Sequence, residues 1–188
     1  MDFQTPLIPA RLIKRYKRFL ADIELDTGAV VTAHCANPGS MMGMAEPKTK
    51  VWVEPNDDPK KKLKYSWKLN DYENGHFCVV DTSIANRIVK DALVTRQLAP
   101  FMGYADILPE VKYGDKSRVD FLLQDPTEGA LYLEVKSVSL CRETGLAEFP
   151  DSVTARGTKH LHDLAAMVAQ GHRAGLLFVV NRTDCSHV

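Results

Sequence analysis

Along residues 1–80, apolar and polar positions alternate in short stretches, the period-two signature of β-strands. Strand-like segments run from Leu12 to Leu25, then Asp26-Thr27-Gly28-Ala29 reads as a hairpin turn before Val30 to Ala33. His34 to Ser40 is a loop by its Asn-Pro-Gly content. Lys50 to Glu54, Tyr65 to Leu69 and Phe77 to Val80 complete about five short strands, a spacing that suggests a sandwich or small barrel. Near residue 82 the pattern changes. Thr82-Ser83 is a cap for a helix whose stripe is Ile84, Ile88, Val89, Ala92 and Leu93. Pro109–Lys112, Val119–Leu123 and Leu131–Val138 read as three strands, with turns at Gly114-Asp115 and Pro126 to Gly129. A second helix starts at Asp151-Ser152, with Leu161, Leu164, Ala165 and Val168 as its inward stripe and Gly171 as its stop. Ala174 to Val180 is continuously apolar, as in a buried parallel strand. Asn181 to Val188 is polar and carries no evident structural pattern.

This order predicts two domains. Residues 1–82 form a β-sandwich or small barrel, and residues 83–188 form an α/β domain with a mixed sheet flanked by helices. A composition of 45% hydrophobic and 26% charged residues supports packed cores and excludes a disordered chain. No apolar run approaches the ~20 residues that span a bilayer, so no membrane partner is expected. Met1-Asp2-Phe3-Gln4 lacks the order of a signal peptide, which makes the cytoplasm the expected location. Cys35, Cys78, Cys141 and Cys185 are scattered, as free thiols are in a reducing compartment, and do not suggest zinc. The oligomeric state is left open, a homodimer being one option.

Net charge is zero, yet the charges are segregated. Arg11, Lys14, Arg15, Lys17 and Arg18 form one basic run, interleaved with Tyr16 and Phe19. Lys60, Lys61, Lys62, Lys64 and Lys68 form another, with Tyr65 and Trp67. Local patches set attraction to phosphates, and base stacking on aromatics adds roughly 1–3 kcal/mol per base in single-strand binders. DNA is therefore the expected partner.

The chemistry concentrates on Leu131 to Ser137. Glu134 and Lys136 share one face of this strand, while Leu131, Leu133 and Val135 share the other. Asp120 sits inside the apolar run Val119 to Leu123, where an acid costs several kcal/mol unless paired or metal-bound. If Asp120 and Glu134 converge, they offer hard oxygen ligands for Mg²⁺ or Mn²⁺, and the Val135 carbonyl would add a third. Lys136 would orient a water or stabilise developing charge. Glu110 would bind a second metal or hold Lys136. The bland alternative is an exposed Glu134–Lys136 pair worth ~0–1 kcal/mol. Arg156 and Lys159 share a helix face, which by itself reads as an exposed helix surface and, in the functional reading, contacts phosphate or supports the site. His160 and His162 point apart, so they do not form a metal pair. His34, Asn37 and Gly39 read as loop-shaping residues, and Met41, Met42 and Met44 as core filler.

Seven blocks in order give the chain a resemblance to the bacterial sugar fermentation stimulation protein A family. They are Ile13–Asp22, His34–Met41, Glu110–Gly114, Ser117–Phe121, Glu134–Val138, Phe149–Thr154 and Arg156–Leu161. The resemblance implies an N-terminal OB-fold-like barrel and a C-terminal domain similar to PD-(D/E)XK nucleases. It implies DNA binding without strong sequence preference and a regulatory role in sugar (maltose) metabolism. By the motif, the nuclease-like acids fall on Asp120 and Glu134, with Lys136 as the motif lysine and Glu110 as the upstream acid. Members usually continue for several dozen residues further, so the second domain is expected to be C-terminally truncated. Two readings follow: a working Mg²⁺-dependent nuclease, or a non-catalytic DNA-binding regulator that keeps the fold. A sugar-processing enzyme is disfavoured, because no phosphate-cradling glycine loop or cofactor motif is present.

Overall fold

The computed structural model describes residues 2–114, 117–149 and 155–188, without the side chains of residues 155 and 156. The first strands are β1 (Ile8–Tyr16), β2 (Leu20–Leu25), β3 (Val30–Cys35), β4 (Lys50–Pro55), β5 (Tyr65–Asp71) and β6 (Phe77–Val79). The antiparallel pairs β1–β2, β2–β3, β1–β4 and β4–β5 leave two free edges, and a parallel β3–β5 pair joins them. The result is a closed five-stranded OB-like barrel, with β6 added beside β5. Closure removes the exposed edges that an open sheet presents. Alternate residues point inward, so Ala10, Leu12, Ala21, Ile23, Ala33, Cys35, Val51, Val53 and Trp67 form the core. Trp67 is fully buried, which corrects its place among the expected base-stacking aromatics: it is a core ring, donating Nε1–H to Asn70 Oδ1 at 3.0 Å.

The remaining elements are α1 (Ser83–Val94), β7 (Asp106–Tyr113), β8 (Ser117–Asp125), β9 (Gly129–Val138), β10 (Gly145–Leu146), α2 (Ala155–Ala169), β11 (Arg173–Val180) and β12 (Cys185–His187). A mixed sheet runs in the order β11-β9-β8-β7. Leu131, Leu133 and Val135 of β9 meet Ala85, Val89 and Leu93 of α1 on one face. On the other, Ala130 and Tyr132 meet Leu164 and Met167 of α2. The period-two alternation of β9 therefore places one helix on each face.

Among the described residues, 2–84, 137–149 and 180–188 form one compact unit, and 85–136 and 155–179 the other. The units interleave along the chain, whereas the sequence reading divides it once near residue 82. The polar tail is a further difference. Asn181 is buried, donating its N–H to the Val138 carbonyl and accepting the Val79 N–H, both at 2.8 Å. Arg182 pairs with Asp184 at 2.6 Å, and β12 pairs in parallel with β10. A polar segment looks structureless by hydrophobic period, yet its backbone groups complete the ladder around β6.

Both helices show displaced stripes. Ser83 is capped by Asp81, whose Oδ1 accepts its N–H at 3.1 Å, while the Thr82 hydroxyl donates elsewhere, to the Ala36 carbonyl. Ala85 is buried in place of Ile88, which is exposed. In α2 the buried positions are Leu164 and Met167, and Leu161 and Val168 are exposed. Along β11, Leu176 and Val180 are exposed rather than buried. The expected turn at Gly114-Asp115 and helix start at Asp151-Ser152 fall partly or wholly outside the described residues.

Candidate functional sites: a buried acidic centre and a basic barrel face

Asp120 sits where the β8–β9 ladder gives way to side-chain bonding. Backbone pairing runs from Asp125↔Gly129 to Phe121↔Leu133. One residue beyond, Asp120 Oδ2 accepts the Val135 N–H at 2.7 Å, and its Oδ1 accepts Nδ2–H of Asn86 on α1, also at 2.7 Å. Burial pushes the Asp120 carboxyl above its ordinary value, and repulsion from Glu134 and Glu110 adds to this. The two donors pull the other way. Asp120 and Glu134 are thus close enough to resist sharing two negative charges.

Glu134 is almost fully buried, and its two oxygens are unequal. Oε1 accepts from Lys136 Nζ at 2.9 Å and lies 2.8 Å from His160 Nδ1. Oε2 is buried with no hydrogen-bond partner among the described residues. A buried carboxylate oxygen left bare costs about 1–3 kcal/mol or more, so native structures keep one for a reason. Nearby, the Tyr113 hydroxyl is likewise buried without a partner among the described residues. Burial first, then Glu134, Asp163 and Asp120, push it up to about 12. A buried and a half-buried carboxylate, the first with an unused oxygen, suit a hard divalent cation, which prefers oxygen and keeps waters of its own. Among the described residues, however, no group of three or more His, Cys, Asp and Glu side chains converges as a complete cage.

Two expectations for this site are corrected. Glu110 does not hold Lys136: it is about half exposed, 3.8 Å from Arg118, while Lys136 pairs with Glu134. Glu110 also has φ 57°, inside a strand whose register continues on both sides as Pro109↔Phe121 and Val111↔Val119. A left-handed non-glycine residue costs roughly 1–3 kcal/mol and is most often kept at functional positions. The Lys159 ammonium binds Asp163 at 2.6 Å and Ser117 Oγ at 3.0 Å, so it braces the β7–β8 end of the sheet rather than standing free for phosphate. The side chain of Arg156 lies outside the described residues. The Val135 N–H is committed to Asp120, and nothing further distinguishes its carbonyl. His160 is the residue sequence reasoning missed. The signal was the spacing 160, 164, 167, which puts it on the buried stripe of α2.

The barrel separates its cations into structural and exposed sets. Arg11 forms a bidentate pair with Glu73 at 2.7 Å, Lys14 lies 3.6 Å from Asp22, and Lys68 is bridged to Asp81 and Glu54. Arg15 donates to the carbonyls of Arg18, Asn37 and Gly39, clamping the β1–β2 turn to the loop after β3. These four serve the barrel's own fold. Lys17, Arg18, Lys60, Lys61 and Lys62 are exposed and make no ion pair among the described residues, and Lys64 is exposed with its Nζ on the Asp58 carbonyl. They lie on the β1–β2 turn and the β4–β5 loop, the two loops that flank the binding face of OB-folds. The register Leu20↔His34 and His34↔Ser66 brings the ends of those loops together across β3. There Phe19 is 45% exposed and stacks on His34, with ring centroids 6.5 Å apart. Lys17 and Arg18 are both left-handed, at φ 49° and 63°, and this tight turn presents Phe19.

Comparison with known proteins gives a consistent result. A family model described as the sugar fermentation stimulation protein RE domain matches residues 83–188, and one for the N-terminal OB domain of the same family matches residues 13–80. The chain is 65% identical to a sugar fermentation stimulation protein homolog of Ruegeria pomeroyi over 98% of this chain and 80% of the relative. It is 50% identical to the homolog of Aeromonas hydrophila over 96% of this chain and 74% of that protein. A solved structure of the Pyrococcus furiosus relative, described as a complex with Ca²⁺, matches with TM-score 0.86 at 23% identity. The match covers 100% of this chain and 78% of that one. Among the described residues, no helix is long and apolar enough to cross a membrane.

Proposed function

This chain belongs to the sugar fermentation stimulation protein family, and from that premise we propose a DNA-binding protein that hydrolyses phosphodiester bonds at a divalent-cation site. The observation that carries the reading is Glu134: a buried carboxylate whose Oε1 is held by Lys136 and His160 and whose Oε2 has no partner among the described residues, beside the half-buried Asp120. The relative from Pyrococcus furiosus is described as a Ca²⁺ complex, which supports a divalent cation as the ligand class. Asp120 and Glu134 would hold it, with Mg²⁺ or Mn²⁺ the ions suited to catalysis. When bound, such an ion polarises a phosphoryl oxygen and lowers the pKa of a coordinated water.

The protein's own groups do the rest. Asn86 and the Val135 N–H fix the orientation of Asp120. The Lys136 ammonium, already at the Glu134 carboxylate, supplies positive charge for a phosphate oxygen as negative charge builds on it. On the barrel, the loop lysines attract the phosphate backbone and Phe19 offers a stacking surface, a combination without strong sequence preference. A regulatory role in sugar (maltose) metabolism would act through this DNA binding.

A second reading is a non-catalytic DNA-binding regulator. It is favoured by the absence of a three-ligand acidic cluster among the described residues and by the turn of Glu110 toward Arg118. One experiment separates them. The protein is incubated with plasmid and with single-stranded DNA, in Mg²⁺, in Mn²⁺ and in chelator, beside Asp120→Ala and Lys136→Ala. Cation-dependent cleavage lost in both variants is expected. Salt-sensitive binding without cleavage in any sample selects the regulator, and cleavage equal in all samples sinks the assigned site.

A further inference from the structure

Resting on the reading of Glu134 as a cation ligand, we infer that His160 is the positioning residue of that ligand. It holds Oε1 and so leaves Oε2 for the cation. The inference starts from the helix. His160, Leu164 and Met167 follow the i, i+4, i+7 spacing of one face of α2. Leu164 and Met167 are buried against Tyr113, Val119 and Leu122, so the same face delivers His160 to the sheet, whereas Leu161 and His162 are exposed. The His160 side chain is only 13% exposed, a polar ring on an otherwise apolar stripe. There its Nδ1 lies 2.8 Å from Glu134 Oε1.

That contact does more than satisfy the ring. An ionised carboxylate only accepts, so Nδ1 carries the proton and donates. The terminal torsion of a glutamate is broad, so the plane of the carboxylate by itself would swing over a wide angle. Lys136 alone would not stop this. It lies on the same strand, two residues away, on a flexible four-carbon stem whose donors can follow either oxygen. His160 comes from a separate element, on a flat ring with two torsions, packed against the sheet. With both donors on Oε1, a swing of the carboxylate plane would strain two hydrogen bonds at once. The unused Oε2 is the consequence. Ligating carboxylates are commonly oriented by such outer hydrogen bonds, and losing one typically costs about 10–100-fold in metal affinity.

The test uses the whole chain and Mn²⁺ alone, without DNA, with the dissociation constant read by titration calorimetry. His160→Leu keeps the volume and removes the donor; His160→Asn places an amide N–H where Nδ1 stands. Glu134→Gln reports on the underlying site. Affinity about 10–100-fold weaker in His160→Leu, largely restored in His160→Asn and lost in Glu134→Gln, supports the inference. Wild-type affinity in His160→Leu while Glu134→Gln loses binding overturns it and leaves the metal site standing. Equal weakening in both histidine variants makes the ring a packing element and also overturns it. Unchanged binding in Glu134→Gln overturns both the inference and the site it rests on.

Discussion

At the scale of single residues, the acids at the centre of the α/β unit cost the fold stability. The Asp120 carboxyl is held above its ordinary value, chiefly by burial. A carboxyl raised in the folded state binds its proton more tightly there than in the unfolded chain. Its contribution is therefore most favourable at low pH and falls as pH climbs from the unfolded value of 3.8 through the folded one. Above that window the ionised group is a fixed penalty. Asp120→Asn removes it, and the amide fits: its oxygen keeps the Val135 N–H, and its NH₂ meets Asn86 once that amide is flipped. Without metal, Asp120→Asn is expected to melt higher than wild type at neutral pH, with the gap closing toward acid. With Mn²⁺ at 100 times its dissociation constant, wild type gains about 2.7 kcal/mol and the variant does not. Thermal melts across pH, with and without Mn²⁺, check both halves. Tyr113→Phe removes a hydroxyl that no described group satisfies, so its metal-free melting temperature is expected to hold or rise. A clear fall would reveal a partner for that hydroxyl. That Asp120 and the Glu134–Lys136 pair lie near one another was suggested by the sequence, because charged residues in apolar strands need an excuse. His160 was not, because a histidine between exposed neighbours carries no charge pattern. Only the helix register, fixed by packing, shows that it faces Glu134.

At the scale of elements, the two helices show where periodicity misleads. From sequence, α2 offers two overlapping stripes, and the wholly apolar one, Leu161, Leu164, Ala165 and Val168, looks stronger. The sheet selects the other, because the ring at 160 has a buried carboxylate to meet and Leu164 and Met167 continue that line. The distinction is measurable. Leu164→Ala is expected to cost about 2–5 kcal/mol by denaturant unfolding, the range for emptying a packed leucine site. Leu161→Ala, at an exposed position, is expected to stay within about 0.5 kcal/mol. Equal costs would mean the helix is rotated from the position described. The strands were easier to read, since a period of two needs no partner to be recognised. The closure of the barrel was not readable: the parallel β3–β5 pair joins residues 33–35 to 65–67, and no local pattern encodes so distant a register.

At the scale of the whole molecule, zero net charge conceals a division of labour among the cations. Each of the two basic runs is a candidate DNA-binding patch by sequence, and sequence has no means of telling which members the fold itself uses. Arg11, Lys14, Arg15 and Lys68 are drawn into ion pairs and carbonyl contacts within the barrel, as Lys159 is in the α/β unit. Lys17, Arg18 and Lys60 to Lys62 are left on the two loops that meet across β3. Salt dependence separates the sets. Each phosphate contact contributes roughly 0.7 to the slope of log affinity against log salt for single strands and 0.9 for duplex DNA. Replacing Lys60, Lys61 and Lys62 together by Ala should flatten that slope by about 2 for single strands if all three touch phosphate. Because the substitutions sit on an exposed loop, the melting temperature should hold. Arg15→Ala should behave in the opposite way, lowering the melting temperature by unclamping the β1–β2 turn. Phe19→Ala should weaken binding by roughly 1–3 kcal/mol with the slope unchanged, since stacking carries no counterion release. A triple-lysine variant with the wild-type slope would place the DNA path elsewhere on the chain and leave the barrel without its assigned role.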